Sequence, residues 1–311
     1  MFGETSLELE TNRMAIGPGL HHGEVQSEGS GRIYLLHAPD DYDGIAARPL
    51  MVVLHGGGGS AEFAQRVHGW CDLSQREGCL VVFPEASCED PTRIAGVREN
   101  PRIWNDGSRR SAVARRNVDD IGYLTAVLDD VQDRFAVDAR QVFVSGFSNG
   151  ASMAFRVGIE LSDRVSAIAP VSGHLCLQEP QPVRPMSMLY MIGLDDPLNP
   201  FDGGPTTSPW GARRNKPQVM ESILTWAGLI GAPSVPTSTH QNDGVTRVQF
   251  GPGETGHEVQ LYTIEGQGHE WPGAERTLPR IISGPQTNKL NATQVIWDFF
   301  RSTHLPRPCA S

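Results

Sequence analysis

Short apolar runs rich in β-forming residues alternate along this chain with segments of helical periodicity. Seven such runs lie at residues 33–37, 51–54, 80–83, 141–144, 167–171, 188–192 and 259–263. The clearest helical patterns lie at residues 119–135, 149–161, 217–229 and 291–304. Runs this short and apolar are typical of strands buried on both faces of a parallel sheet, with helices as the connections. The alternation therefore predicts an α/β fold with a mostly parallel central sheet and helices on both faces.

The domain organisation follows from length and the absence of repeats. A chain of 311 residues is long enough for one large α/β domain or two small ones. No internal repeat or long low-complexity tract divides it. We expect an N-terminal extension over residues 1–17 and a single α/β domain over residues 18–311.

Charge and hydropathy argue against two classes of partner. The chain has 26 Lys and Arg residues against 36 Asp and Glu, a formal net charge of −10, and no basic stripe that could follow a phosphate backbone. We therefore expect no nucleic-acid partner. The longest apolar runs are only a few residues long, whereas roughly 20 residues are needed to span a bilayer, so we also expect no membrane partner.

The N-terminal residues bear on localisation. Residues 1–14 are acidic where a signal peptide would carry basic residues before an apolar core. This pattern predicts a cytoplasmic protein, or a secreted one if a signal peptide has been removed.

One serine lies between a strand pattern and a helix pattern, inside a Gly-x-Ser-x-Gly motif. Gly146, Ser148 and Gly150 follow the run at residues 141–144 and open the helical pattern at residues 149–161. A tight strand-to-helix turn crowds the backbone, and the two glycines leave room for it while the serine oxygen stays exposed. The motif indicates a nucleophile elbow with Ser148 as the nucleophile. The alternative is that Ser148 is an ordinary helix N-cap, a common role of serine.

A second glycine-rich segment follows the run at residues 51–54. It reads Leu54-His55-Gly56-Gly57-Gly58-Gly59-Ser60. Hydrolases with a nucleophile elbow place a glycine-rich loop at this point, where it donates a backbone N–H to the oxyanion. We therefore assign the oxyanion hole to the N–H of Asn149 and to that of Gly57 or Gly58. A phosphate-binding loop is the alternative, but the Lys-Ser/Thr pair of such loops is missing.

A serine nucleophile needs a base to take its proton and a carboxylate to orient that base. In this architecture the chain order is serine, then Asp or Glu, then histidine. His269 lies in a glycine-rich loop directly after the run at residues 259–263, which makes it the candidate base. Asp195 and Asp196 follow the run at residues 188–192, and either could orient His269.

Metal catalysis is the rival chemistry. The chain has no His-Glu-x-x-His motif and no closely spaced cysteine pair. We therefore expect neither a metal nor an organic cofactor.

Together these motifs resemble those of a serine esterase family that includes polyhydroxybutyrate depolymerase-like proteins, feruloyl esterases and acetyl xylan esterases. The resemblance extends over residues 19–297. Its main segments are Leu54-His55-Gly56-Gly57-Gly58-Gly59, Trp104-Asn105-Asp106, Val118-Asp119-Asp120-Ile121-Gly122, Gly146-Phe147-Ser148-Asn149-Gly150-Ala151, Asp196-Pro197 and Gly268-His269-Glu270-Trp271-Pro272-Gly273.

The resemblance implies an α/β-hydrolase catalytic domain over residues 18–311, with Ser148 as nucleophile, His269 as base and Asp196 rather than Asp195 as the acid. It also implies hydrolysis of carboxylic esters through an acyl-enzyme. The expected substrates are small or oligomeric soluble esters, namely hydroxyalkanoate oligomers, feruloyl esters or acetyl esters. Two alternatives remain open: a non-catalytic binding protein on a hydrolase fold, and a serine peptidase or amidase that uses the same residues.

Two loop-like stretches, residues 86–113 and 199–215, follow predicted strands. They should lie at the carboxyl edge of the sheet, where open α/β sheets bind ligands. Trp104, Trp210 and Trp271 lie in the loops expected around the site. We predict that these three side chains bind substrate by stacking on a sugar or an aromatic acid. The alternative for each is that it packs beneath its loop.

Overall fold

The computed structural model describes residues 16–109 and 111–303. Its strands are β1 (Gly19–Ser27), β2 (Ser30–Ala38), β3 (Arg48–Leu54), β4 (Leu80–Pro84), β5 (Val137–Phe147), β6 (Ala167–Val171), β7 (Ser187–Gly193), β8 (Gly204–Thr207), β9 (Arg213–Lys216), β10 (Ser238–Asn242), β11 (Val245–Phe250) and β12 (Val259–Ile264). Its helices are α1 (Ala61–Val67), α2 (Trp70–Glu77), α3 (Ala112–Arg115), α4 (Asp120–Arg134), α5 (Asn149–Glu160), α6 (Val219–Leu229), α7 (Arg280–Ser283) and α8 (Ala292–Ser302).

Ten of the strands form one sheet, in the order β1-β2-β4-β3-β5-β6-β7-β12-β11-β10. The central strands from β4 to β12 pair in parallel. Antiparallel strands flank them at both ends. Each of the seven apolar runs identified in the sequence lies in a strand of this sheet. The predicted α/β fold with a mostly parallel sheet is confirmed.

Neighbouring residues on the central strands face opposite layers of the core. On β3, Leu50 and Val52 pack with the buried side chains of α4, α5 and α6. Met51 and Val53, which alternate with them, pack with α1, α2 and α8 on the other face. Because both faces are buried, β4 and the part of β3 from Leu50 to Leu54 are apolar throughout and show no polar alternation.

Three of the antiparallel outer strands, β1, β10 and β11, were not predicted from the sequence, whereas β2 contains the predicted run at residues 33–37. Strand β10 is polar and almost fully exposed, and β11 is mostly half-buried. Strand β1 buries only two of its residues, Val25 and Gly23. A strand at the edge of a sheet contacts the core over little of its surface, so it does not need the apolar run by which a central strand is recognised.

The ends of the chain limit two expectations. Helix α8 begins where the side chain of Asn291 accepts the Gln294 N–H at 3.0 Å. His304, placed by the sequence at the end of this helix, lies outside the described residues, as do residues 1–15 of the expected N-terminal extension. Within the described residues, no helix has the length and apolar character needed to cross a bilayer.

The parallel strands bring distant parts of the chain to one edge of the sheet. Strands β3, β5, β7 and β12 end at Leu54, Phe147, Gly193 and Ile264. The glycine-rich loop, Ser148, Asp196 and His269 each follow one of these ends. Since parallel strands share one carboxyl edge, the four segments converge there.

Candidate active site

The turn that carries Ser148 is tight enough to require both glycines of the motif. Strand β5 ends at Phe147 and α5 begins at Asn149, so Ser148 makes the whole turn, with φ 56° and ψ −115°. A Cβ on Gly146 would lie 2.3 Å from the carbonyl oxygen of Gly150, and one on Gly150 would lie 2.3 Å from that of Leu54. Real side chains do not tolerate such distances, so only glycine fits at positions 146 and 150.

Three predicted side chains form one hydrogen-bonded chain. The Ser148 Oγ lies 2.9 Å from His269 Nε2, and His269 Nδ1 lies 2.7 Å from Asp196 Oδ2. The carboxylate favours a proton on Nδ1, which leaves Nε2 free to accept the hydroxyl proton. Asp196 Oδ1 accepts the N–H groups of Leu198 and Asn199, each at 2.8 Å. Both oxygens of this buried carboxylate are therefore held in place.

The structure separates the two aspartates that the sequence left open. Asp196 is buried against His269, whereas Asp195 is exposed. The Asp195 carboxylate accepts the N–H of Gly266 at 2.9 Å. Asp195 thus ties the end of β7 to the turn that precedes His269, and it does not contact the imidazole.

The loop around His269 is fixed by contacts that sequence reasoning missed. The His269 N–H donates to the carbonyl of Ser283 at 2.6 Å. The buried side chain of Glu270 accepts three hydrogen bonds, from the N–H and hydroxyl of Thr277 and from the N–H of Leu278. The motif that contains Glu270 was recognised in the sequence, but the role of Glu270 as an anchor for residues 277–278 depends on the chain turning back towards it seven residues later.

Of the two glycines considered for the oxyanion hole, only Gly57 has an available N–H. The Gly58 N–H donates to the carbonyl of Arg102 at 2.8 Å, which corrects the expectation for Gly58. In the part of the chain that the structure describes, no acceptor binds the Gly57 N–H. Asn149 opens α5, where N–H groups have no partner within the helix. A Cβ on Gly57 would lie 3.6 Å from that of Asn149, so the two donors are neighbours.

The glycine-rich loop is shaped by His55. This imidazole is fully buried, and its Nε2 accepts the Ala86 N–H at 3.1 Å while Nδ1 lies 2.8 Å from the Gly56 carbonyl. Burial lowers the pKa of His55 to about 4. The ring is therefore neutral near pH 7 and acts as a fixed hydrogen-bonding group that joins the loop to the end of β4.

Ser148 and His269 open into a pocket of about 220 Å³. The two predicted loops form its walls, as expected: the first contributes Val97 and Ile103, and the second contributes Trp210. The second stretch is a hairpin of β8 and β9 rather than an irregular loop. The indole N–H of Trp210 donates to the Val97 carbonyl at 2.6 Å, so the two walls are joined across the site.

The structure corrects the expectation for two of the three tryptophans. Trp104 is fully buried, and its indole N–H donates to the His55 carbonyl at 2.9 Å. Trp271 is also buried, stacks on His68 with ring centroids 4.4 Å apart, and donates to the Thr293 hydroxyl. Neither lines the pocket, because each packs beneath its loop. Trp210 alone of the three does so.

Charged side chains of both signs line this pocket. Arg214 and Lys216 alternate along β9, so they lie on the same face of the hairpin, while Glu89 and Asp106 come from the loop at residues 86–113. Within the described residues, no group of three or more His, Cys, Asp or Glu side chains could hold a metal ion.

Comparison with known families finds a match over more than half of the chain. Residues 43–211 match the family described as phospholipase/carboxylesterase.

Curated relatives carry esterase names. The putative esterase NocK of Nocardia uniformis subsp. tsuyamanensis is 28% identical over 291 residues, covering 89% of this chain and 81% of that protein. The probable feruloyl esterase C of Aspergillus niger is 28% identical over 178 residues, covering 56% of this chain and 58% of that protein. The bifunctional acetylxylan esterase/xylanase XynS20E of Neocallimastix patriciarum is 21% identical, covering 80% of this chain but only 32% of that protein.

Solved structures share the fold. An acetyl xylan esterase from Aspergillus awamori superposes with a TM-score of 0.59 at 14% identity, covering 90% of this chain and 99% of that one. At this identity the similarity shows a common fold.

Proposed function

The chain belongs to the phospholipase/carboxylesterase family and is an esterase of the α/β-hydrolase superfamily, and we propose that it hydrolyses carboxylic esters with a Ser148–His269–Asp196 triad. The observation that carries the proposal is the continuous hydrogen-bonded chain from Asp196 through His269 to Ser148, at 2.7 and 2.9 Å, which opens into a pocket. A hydroxyl becomes a competent nucleophile when an oriented imidazole can take its proton.

The first half of the reaction forms an acyl-enzyme. Ser148 Oγ attacks the ester carbonyl carbon while its proton passes to His269 Nε2. The tetrahedral intermediate then collapses, the bond to the alcohol oxygen breaks, and that oxygen takes the proton from Nε2. The acyl group stays on Ser148, and Asp196 keeps the imidazole oriented throughout.

The second half releases the acid. Water enters in place of the alcohol, gives a proton to His269 and attacks the acyl carbon. Ser148 Oγ leaves and recovers its proton, and the carboxylic acid departs. In both halves the N–H groups of Gly57 and Asn149 stabilise the negative oxygen of the tetrahedral intermediate. These steps use only this chain and water.

We infer that the substrates are soluble esters: feruloyl esters, acetyl esters or hydroxyalkanoate oligomers. The names of the feruloyl and acetyl xylan esterases among the relatives support the first two classes. The pocket supports small or short substrates, since its volume is about 220 Å³ and a hydrogen bond from Trp210 to Val97 joins two of its walls. Trp210 offers an aromatic face on which a planar acyl group could stack.

The test is a panel of esters assayed with the wild type and with Ser148→Ala. The panel holds short and medium p-nitrophenyl esters, methyl ferulate, an acetylated xylo-oligosaccharide, hydroxybutyrate oligomers and one p-nitroanilide. We expect preference for one natural ester and a loss of several orders of magnitude in Ser148→Ala, which retains its fold.

A fluorophosphonate separates the ways in which this proposal could fail. Labelling of Ser148 without turnover of any panel ester would keep the nucleophile and refute the proposed substrates. Faster cleavage of the anilide than of the esters would identify an amidase. Absence of both labelling and turnover would refute the serine mechanism.

A further inference from the structure

Residues 103–106 contact both halves of the proposed oxyanion hole, and we call this segment the brace. It is part of the pocket wall formed by residues 86–113 and contains Trp104-Asn105-Asp106, a motif singled out in the sequence. All of its side chains are buried. The two N–H donors that it lies between, those of Gly57 and Asn149, belong to segments more than 90 residues apart in the chain.

One side of the brace grips the Asn149 side chain. Asn149 Oδ1 accepts the Trp104 N–H at 2.7 Å, and its Nδ2 donates to the Trp104 carbonyl at 3.2 Å. Nδ2 also donates to Asp106 Oδ2 at 3.1 Å. The side-chain amide is therefore paired with both the backbone N–H and the backbone carbonyl of Trp104, and both N–H donors of the amide are used.

The other side of the brace grips the glycine-rich loop. The Trp104 indole N–H donates to the carbonyl of His55 at 2.9 Å. The Gly58 N–H donates to the carbonyl of Arg102, the residue that precedes the brace, at 2.8 Å. These two bonds fall on either side of Gly57. Ile103 packs directly on Gly57, since a Cβ there would lie 3.0 Å from the Ile103 Cδ1.

The brace is itself held by side chains of α4 and α5 through Asn105. The Asn105 N–H donates to Asp120 Oδ2 at 2.6 Å, and the Asn105 carbonyl accepts from Arg156 at 2.6 Å. Asp120 is fully buried and pairs with Arg32 at 2.7 Å. Burial raises the pKa of the Asp120 carboxyl, and the Arg32 guanidinium opposes that rise. Arg32 also lies 3.6 Å from the ring centroid of Tyr123.

We propose that three side chains, those of Trp104, Asp106 and Asn149, are positioning groups. They hold the two oxyanion donors, the backbone N–H groups of Gly57 and Asn149, in a fixed position relative to each other. The inference rests on the proposed function, because it concerns the donors of that reaction. The two donor segments are far apart along the chain, and the N–H groups of both must point at one oxygen before negative charge develops there. A displacement of about 1 Å in such a site can cost roughly a hundredfold in rate.

The first test is Trp104→Phe in the full chain, which keeps an aromatic ring but removes the donor to the His55 carbonyl. We expect kcat for the best panel ester to fall about 10- to 100-fold with KM changed less than about threefold, because the donors act on the transition state. Affinity for a boronic acid, whose adduct with Ser148 places a negative oxygen in the hole, should fall by a similar factor.

The matched control is Trp226→Phe. Trp226 is equally buried, and its indole N–H donates to the carbonyl of Met186 at 3.0 Å, within the core. Both variants remove one indole donor from one buried carbonyl, so both should lose comparable unfolding free energy. Only Trp104→Phe should lose kcat and boronate affinity. A kcat for Trp104→Phe within twofold of that for Trp226→Phe would overturn the proposal.

An exchange of partners keeps the proposal testable if Trp104→Phe fails to fold. Asn149→Asp sets two carboxylates against each other, whereas Asn149→Asp with Asp106→Asn restores one donor and one acceptor between positions 149 and 106. The hydrogen bond to the Trp104 carbonyl is lost in both variants, so it cancels in the comparison. We expect a large loss of kcat in the single variant and at least a tenfold recovery in the double variant. No recovery would refute the side-chain pairing. Failure of the proposed function itself is distinguishable, because then the wild type and Trp226→Phe would also hydrolyse no ester.

Discussion

Replacing Ser148 by glycine or by alanine measures the strain that the nucleophile turn stores. Both variants lose the Oγ and its hydrogen bond to His269, so that loss cancels in the comparison. The difference lies in the Cβ, which alanine keeps in a backbone with φ 56° and ψ −115°. A non-glycine residue held in such a conformation costs about 1–3 kcal/mol.

The expected magnitude follows from two opposing contributions. Glycine relieves the strain but also makes the unfolded chain more flexible, which costs about 0.5–1 kcal/mol relative to alanine. We therefore expect Ser148→Gly to be more stable than Ser148→Ala by about 1 kcal/mol. For a chain of this length that corresponds to roughly 2 °C in Tm.

Reversible urea unfolding of both variants is the assay, and Ser222 is the control position. Ser222 lies inside α6, is buried, and its Oγ accepts the Leu175 N–H at 3.0 Å. There alanine should be more stable than glycine by about 1 kcal/mol, as in any helix interior. If Ser148→Ala proves more stable than Ser148→Gly by the same margin, the turn stores no strain and the reasoning is refuted.

Three further predictions concern the acid, the pocket and a buried histidine. Asp196→Asn should lower kcat about 10⁴-fold by disturbing the imidazole tautomer, whereas Asp195→Asn should stay within severalfold; equal losses in ester assays would contradict the geometry. Trp210→Ala removes a pocket wall and should raise KM about tenfold with kcat little changed; a fall in kcat alone would assign Trp210 another role. Burial lowers the pKa of His68 to about 3. Below pH 6.5 the unfolded chain therefore binds a proton at His68 that the folded state does not, so the free energy of unfolding decreases as the pH is lowered. His68→Phe should reduce that slope by about 1 kcal/mol per pH unit between pH 6 and 4 in urea unfolding, and an unchanged slope would count against a neutral buried His68.

Local sequence determined the central sheet and the position of the nucleophile. The buried parallel strands are recognisable because each must be apolar on both faces, as β3 and β4 are. Gly146 and Gly150 are recognisable because a Cβ at either position would lie 2.3 Å from a backbone carbonyl oxygen. In both cases the requirement falls on a short run of neighbouring positions, so it leaves a pattern that a single sequence can show, even though the atoms that a Cβ on Gly150 would meet belong to Leu54 and His55.

Tertiary structure decided the features that depend on which distant groups meet. Asp195 and Asp196 are the same residue type one position apart, and only the path of the chain after β7 aims Asp196 at His269. Gly58 became unavailable because its N–H meets a carbonyl 44 residues further along the chain, that of Arg102. Trp104 turned from an expected substrate contact into a buried donor because the glycine-rich loop lies against it. Composition and periodicity show the chemistry of a residue and the side of its helix or strand on which it lies. The roles of Asp196, Gly58 and Trp104 depend instead on partners that only folding brings within hydrogen-bonding distance.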